Sequence, residues 1–188
     1  MARTAVKSPD QTSELPDPLY DTHSHIKYFL GIDPGYGRLG YGLISAENTS
    51  KPKYMDCGIF ETPSTMAESE RLLYMESKML SLMGENNISY CAIEQVFFRK
   101  NLTTGVQLIQ ARGVALLCLA KNKIPYVSVT PTSLKKMITG SGRGDKKQVE
   151  KIITNLLKID KIPGPDDAAD GLSLALYAWL NHRHRKNI

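Results

Sequence analysis

Apolar and polar positions along the chain follow two periods, and the switches between them predict the order of elements. Phe29 to Ile32 is an unbroken apolar run, the pattern of a buried strand. Leu39 to Ala46 and Tyr54 to Glu61 read as two more strands, joined by the polar turn Glu47 to Lys51. Connections this short make the three an antiparallel meander. The period then lengthens. Leu72, Met75, Met79, Leu82 and Met83 recur at helical spacing within a predicted helix from Thr65 to Asn86, where the methionines read as core filling. Tyr90 to Val96 is a short strand. Thr104 to Lys121 is a long helix with Val106, Ile109, Gly113, Leu116, Leu117 and Ala120 on one face. Gly113 costs this helix about 1 kcal/mol against Ala, which close packing on another helix would offset. Ile124 to Val129 is a strand. Thr130 and Pro131 suit the cap and first position of the next helix. After the glycine loop Gly140 to Gly144, Asp145 caps a helix running to Leu157. The last helix opens near Pro163 and is buried through Leu172, Ala175, Leu176 and Trp179.

Composition narrows the class. A chain of 188 residues with 41% hydrophobic content predicts one domain with a real core. Residues 1–25 carry Pro9, Pro16 and Pro18 with no apolar periodicity, so they read as a disordered N-terminal extension preceding a domain at 26–184. They lack the apolar stretch of a secretory signal. His23 and His25, at the end of this arm, read as a solvated linker pair. No apolar run is long enough to span a bilayer. Cys57, Cys91 and Cys118 form no CxxC pair and read as reduced structural thiols. Net charge is +5, but the distribution says more. From Arg99 to Lys151 there are eleven Lys or Arg and only Asp145 and Glu150 as acids, the footprint expected for a phosphate backbone.

Four acids then ask for one explanation. Asp33 ends the first apolar run, where Pro34 and Gly35 turn the chain. Gly37, Gly40 and Gly42 keep the backbone bare nearby, which leaves room for a phosphate or metal. Glu94 again follows an apolar run and leads into Phe97, Phe98, Arg99 and Lys100. One of those aromatics could stack on a base. Asp167 and Asp170 are three apart, so they share a helix face. Asp166 is expected to cap that helix, and Ala168, Ala169 and Gly171 let its start approach another element closely. Hard oxygen donors of this kind suit Mg2+, with Mn2+ as a substitute. Two ions about 3.5–4 Å apart would form the clamp used for displacement at phosphorus. The glycine loop at 140–144 lacks the spacing of a phosphate-binding P-loop.

Gly31-Ile-Asp-Pro-Gly35, Ala92-Ile-Glu-Gln-Val-Phe97, Gln110-Ala-Arg-Gly113 and Asp167-Ala-Ala-Asp170 together make the sequence resemble the RuvC family of bacterial Holliday-junction resolvases, over about residues 27 to 182. The resemblance implies an α/β, RNase H-like fold with a mixed five-stranded sheet flanked by helices. It implies a metal-dependent crossover junction endodeoxyribonuclease that makes paired symmetric nicks in recombination and repair. The catalytic and metal-holding acids would be Asp33, Glu94, Asp167 and Asp170, with two Mg2+ per site. DNA contacts would fall on Phe97, Arg99, Lys100, Arg112, Lys135, Lys146 and Lys147. The implied partners are a four-way DNA junction, a second copy through the helix at Thr104 to Lys121, and a branch-migration complex of a junction-binding protein and a hexameric ATPase motor. The implied location is the bacterial cytoplasm, at the nucleoid. The extension at 1–25 and the basic tail Arg183 to Lys186 depart from the usual pattern.

Three rivals stand beside this reading. A sugar-kinase or actin-like ATPase also opens with a strand, an acid and glycines, but needs a second phosphate loop and a second domain. A junction-binding scaffold would carry a dead site. Another RNase H-like nuclease would keep the four acids and act on RNA or flaps.

Overall fold

A computed structural model of the chain describes residues 26–47, 51–96 and 102–186. The N-terminal extension therefore lies outside the described residues. Five strands form one sheet: β1 (Ile26–Asp33), β2 (Arg38–Glu47), β3 (Lys53–Glu61), β4 (Ile88–Glu94) and β5 (Tyr126–Val129). Their order across the sheet is β3-β2-β1-β4-β5. The first three are antiparallel neighbours, the meander expected from their short turns, and β4 and β5 join β1 in parallel. The sheet is thus mixed, and β1 lies at its centre.

Five helices cover it: α1 (Glu68–Glu85), α2 (Leu102–Lys121), α3 (Pro131–Thr139), α4 (Lys146–Leu157) and α5 (Asp166–Lys186). Alternation along β1 divides the core in two. Phe29 faces a cluster that includes Leu172, Leu176 and Trp179 of α5 and Val149, Ile153 and Leu157 of α4. Leu30 and Ile32 face Met79 and Met83 of α1 and Ala115, Cys118 and Leu119 of α2. The methionines do fill the core, and all three cysteines are free and buried.

Caps set the polar helix ends. Thr130 accepts a bond from the Ser133 N–H, Pro131 occupies the first position of α3, and Gly140 closes it in the left-handed region at φ 76°. Asp145 caps α4, with Gln148 reaching back to the Asp145 N–H. Other ends differ from the sequence reading. β4 begins at Ile88 and ends at Glu94, two residues early at each end, because its ladder partners stop there. Helix α1 begins at Glu68, after Pro63 has taken the chain through a turn. Asp166 is the first residue of α5 instead of its cap: the Pro165 carbonyl accepts the Ala168 N–H, and the Asp166 carboxylate turns to Lys146 at 3.3 Å.

Helix α2 departs most from the pattern expected of a covered helix. Its buried side is Ala111, Ala115, Cys118 and Leu119. Most of the apolar stripe faces outward, with Val106 55%, Ile109 44% and Leu117 50% exposed, while Leu116 packs against the core. Gly113 lies on the same outer side, and among the described residues nothing beyond its own helix backbone comes within 4 Å of where its Cβ would be.

Candidate active site

The central strands bring the first two acids together. Asp33 is the last residue of β1 and Glu94 the last of β4, and Ile32 pairs with Ile93 just before them. Because strand side chains alternate, Ile32 and Ile93 point to α1 and α2 while both acids point to the α5 side. Parallel neighbours ending in step must set these two carboxyl groups side by side, and they are hydrogen-bonded to one another.

Helix α5 brings the other two, through a seam of glycines. A Cβ on Gly40 would lie 2.1 Å from the Asp167 carbonyl oxygen, and one on Gly31 would lie 2.1 Å from that of Gly171. One on Gly42 would lie 2.3 Å from Leu172 Cα, and one on Gly171 itself 2.4 Å from the Tyr41 carbonyl carbon. The bare backbone at Gly40 and Gly42 is therefore filled by a helix, where the sequence suggested room for a phosphate or metal. The close approach expected at Gly171 is present, and its target is β2. Helix backbone against strand backbone places Asp167 and Asp170 beside the strand-end pair.

The electrostatics follow from that crowding. Burial, the hydrogen bond to Glu94 and the charges of Glu94, Asp170 and Asp167 push Asp33 from the ordinary 3.8 up to about 9. Burial raises Glu94, opposed by its bond to Asp33, and the Asp170 charge adds to the rise. Burial raises Asp170 as well, against the pull of Lys146. Lys146 Nζ lies 3.4 Å from Asp170 and 3.3 Å from Asp166, so the start of α4 supplies a cation at the rim of the acid group. Among the described residues no three acids converge on one point as they stand. The donor set nonetheless fits a hard divalent cation: all four are carboxyl groups, and burial and its neighbours push one of them far above the usual carboxylate range. A cleft of about 380 Å3 opens over the pair, lined by Asp33, Glu94, Gln95, Leu108 and Pro131 among others.

The basic candidates divide. Lys146 reaches the acids. Lys147 is exposed on α4, where it lines a groove with Lys151, Thr154 and Lys161. Lys135 is half-buried on α3. Phe97, Arg99 and Lys100 lie outside the described residues. Arg112 has two guanidinium nitrogens engaged within the protein, Nε to the Glu94 carbonyl at 3.3 Å and Nη2 to Ser128 Oγ at 2.8 Å. Ser128 was not singled out from the sequence, where a Ser within a short strand carries no signal.

This geometry can be set beside known proteins. The family model for crossover junction endodeoxyribonuclease RuvC matches residues 29–178. The chain belongs to the RuvC family. A crossover junction endodeoxyribonuclease RuvC from Caldicellulosiruptor saccharolyticus is 41% identical over 147 residues, covering 78% of this chain and 89% of the relative. The Thermus thermophilus RuvC structure superposes with a TM-score of 0.78 at 23% identity, over 84% of this chain and 96% of that one. The T. thermophilus RuvC structure in complex with Holliday junction substrate gives 0.76 at 22% identity, with the same coverage of both chains. The fold is RNase H-like, as the resemblance implied, and the chain is an endodeoxyribonuclease of this family. No described helix is long and apolar enough to cross a membrane.

Proposed function

We propose that this RuvC-family enzyme resolves four-way DNA junctions by hydrolysing phosphodiesters at the group Asp33, Glu94, Asp167 and Asp170. What supports the reading is that two strand-end carboxyls and two acids from one helix turn are near enough to influence one another, with Asp33 raised by burial and by the other three. Asp33 and Glu94 would hold the cation from the strand ends, and Asp167 and Asp170 would hold it from α5. Two bound Mg2+, or Mn2+ in their place, would supply an activated water, a polarised phosphate and charge compensation at the leaving 3′ oxygen. The products are a 5′-phosphate and a 3′-hydroxyl.

The chain's own residues do the rest. Lys146 releases Asp170 when that carboxylate is engaged elsewhere, and its ammonium is then available to a DNA phosphate at the rim of the same site. Lys135 and Lys147 continue the basic surface, with Phe97, Arg99 and Lys100 in the segment that leaves β4. Two symmetric nicks need two sites, and the outward apolar stripe of α2 supports a homodimer. Its open Gly113 allows a partner helix to come close, which accounts for a glycine against which no other described element of the chain packs. The reading extends to a branch-migration complex as partner and to the cytoplasm, at the nucleoid, as location.

A nuclease assay on a synthetic four-way junction tests this, with linear duplex, flap and RNA–DNA hybrid as controls. The expected result is paired symmetric nicks on the junction alone, lost in chelator and in Asp33→Asn, Glu94→Gln or Asp170→Asn proteins that still bind the junction. Cutting of hybrid or flap in preference would overturn the substrate. Tight junction binding without cutting would overturn the catalytic assignment and leave a scaffold.

A further inference from the structure

We propose that Arg112 is a positioning residue, which fixes the end of β4, and with it the Glu94 carboxylate, from the helix that forms the outer apolar face. The inference rests on the reading of Glu94 as a cation-holding acid. Two facts carry it. The Arg112 guanidinium bridges two neighbouring parallel strands at their ends, with Nε on the Glu94 carbonyl and Nη2 on Ser128 Oγ. The β4–β5 ladder makes its last pair there, Glu94 with Val129, and the Gln95 N–H donates to the Val129 carbonyl at 2.8 Å. The Glu94 backbone is thus held where its ladder closes, and one arginine binds its carbonyl.

The residue type and its place both fit the task. A planar fork with fixed N–H directions can satisfy two acceptors on adjacent strands, whereas a lysine ammonium has no such geometry. Arg112 also sits between Ala111, buried against the core, and Gly113, on the outer side of α2. Arg112 therefore ties α2 to the Glu94 main chain directly, beside the core contacts of Ala115, Cys118 and Leu119 with Cys91 and Ile93. This differs from the phosphate contact expected for Arg112 from the sequence, because those two nitrogens point into the protein.

The test compares Arg112→Met, Arg112→Lys and Ser128→Ala in the full chain, with Glu94→Gln alongside. Removing the outer partner of a metal-holding group costs about 10–100-fold in metal affinity or rate. Arg112→Met is therefore expected to lower single-turnover kcat by about tenfold or more and to weaken Mn2+ binding to the DNA-free protein, read by electron paramagnetic resonance, to a similar degree. Junction affinity and its salt dependence should not move. Ser128→Ala should shift both readouts the same way by less, and the double variant should be no worse than Arg112→Met alone, since the two groups act as one unit. Arg112→Lys should recover part of the loss.

Unchanged Mn2+ affinity and rate in folded Arg112→Met would overturn the proposal. Weakened junction binding with a shallower salt slope, and normal cleavage at saturating DNA, would overturn it in favour of a phosphate contact. Loss of folding in Arg112→Met leaves the decision to Ser128→Ala, whose normal metal affinity and rate would also refute it. If Glu94→Gln cleaves and binds Mn2+ normally, the reading of Glu94 fails instead, and that result is separate from every outcome for Arg112.

Discussion

Gly40→Ala is the substitution that most directly tests how the site is assembled. Gly40 pairs with Asp33 across the β1–β2 ladder and faces the first turn of α5. A Cβ there would stand 2.1 Å from the Asp167 carbonyl oxygen and 2.7 Å from its carbon, where ordinary contact begins near 3.4 Å. The start of α5 must therefore lift by about 1.3 Å, the gap between 2.1 and 3.4 Å. The obstacle is backbone on both sides, so no side chain can rotate away to absorb it. Overpacking of this kind costs about 1–3 kcal/mol. Domain stability is about 5–15 kcal/mol, so the protein stays folded. Asp167 is nevertheless carried away from Asp33 by more than the roughly 1 Å misplacement that can cost 10²-fold in rate.

The assay is single-turnover cleavage of a four-way junction at saturating Mg2+, with melting and junction binding measured on the same protein. Cleavage should fall about 100-fold while binding is retained. Gly37→Ala is the control, because among the described residues nothing lies within 4 Å of where its Cβ would be, and it should cleave normally. Wild-type cleavage by folded Gly40→Ala would refute the claim that the glycine seam sets the position of the α5 acids.

Three further outcomes follow from the same geometry. Asp33 has a folded-state pKa raised to about 9, so its contribution to stability is full below the ordinary 3.8 and is lost as pH rises towards 9. In chelator the melting temperature should fall between pH 5.5 and 8.5, and Asp33→Asn should flatten the fall; an equal fall in that variant would remove Asp33 as its source. Gly113→Ala should favour the helix of the isolated protomer by about 1 kcal/mol yet shift sedimentation towards monomer, and an unchanged dimer would exclude close packing at that position. Lys146→Ala should weaken junction binding and reduce the salt slope of binding by about one ion, and an unchanged slope would count against a phosphate contact there.

Much of this site is legible in the chain because each acid ends a pattern. Asp33 and Glu94 both terminate apolar runs, and a parallel pair ending in step has no choice but to set them together. Asp167 and Asp170 share a face by helical spacing alone. The glycines were seen but assigned to the wrong neighbour. Gly40 and Gly42 alternate on one face of β2, which says that something approaches that face closely, yet a period of two does not say whether a ligand or a helix fills it. Gly171 held the answer, since a glycine among alanines in a helix start is the complementary half of the same seam. Arg112 is a different case. A basic residue in a basic stretch reads as a surface contact, and only the three-dimensional path of β4 and β5 reveals acceptors behind it. The Asp166 misreading has a local cause: an acid after proline suits a cap, but here the proline carbonyl serves the helix and the carboxylate is taken by Lys146.

The seam and the acids also explain one another energetically. Packing α5 onto bare strand backbone brings its first turn close to Asp33, and that nearness buries Asp33 and Asp170, which raises both, and adds repulsion among the acids. A looser contact, with alanines at 31, 40 and 42, would relieve the repulsion and lose the site. The fold therefore holds its carboxylates in an arrangement that is unfavourable without cations, and Lys146 offsets only its outer edge. Cation binding and the seating of α5 should act as one equilibrium. Mg2+ should raise the melting temperature of the wild-type protein at pH 8 by more than it raises that of Asp33→Asn or Gly40→Ala. Equal increments in all three proteins would show that the ion binds elsewhere and that the strain at this site has another use.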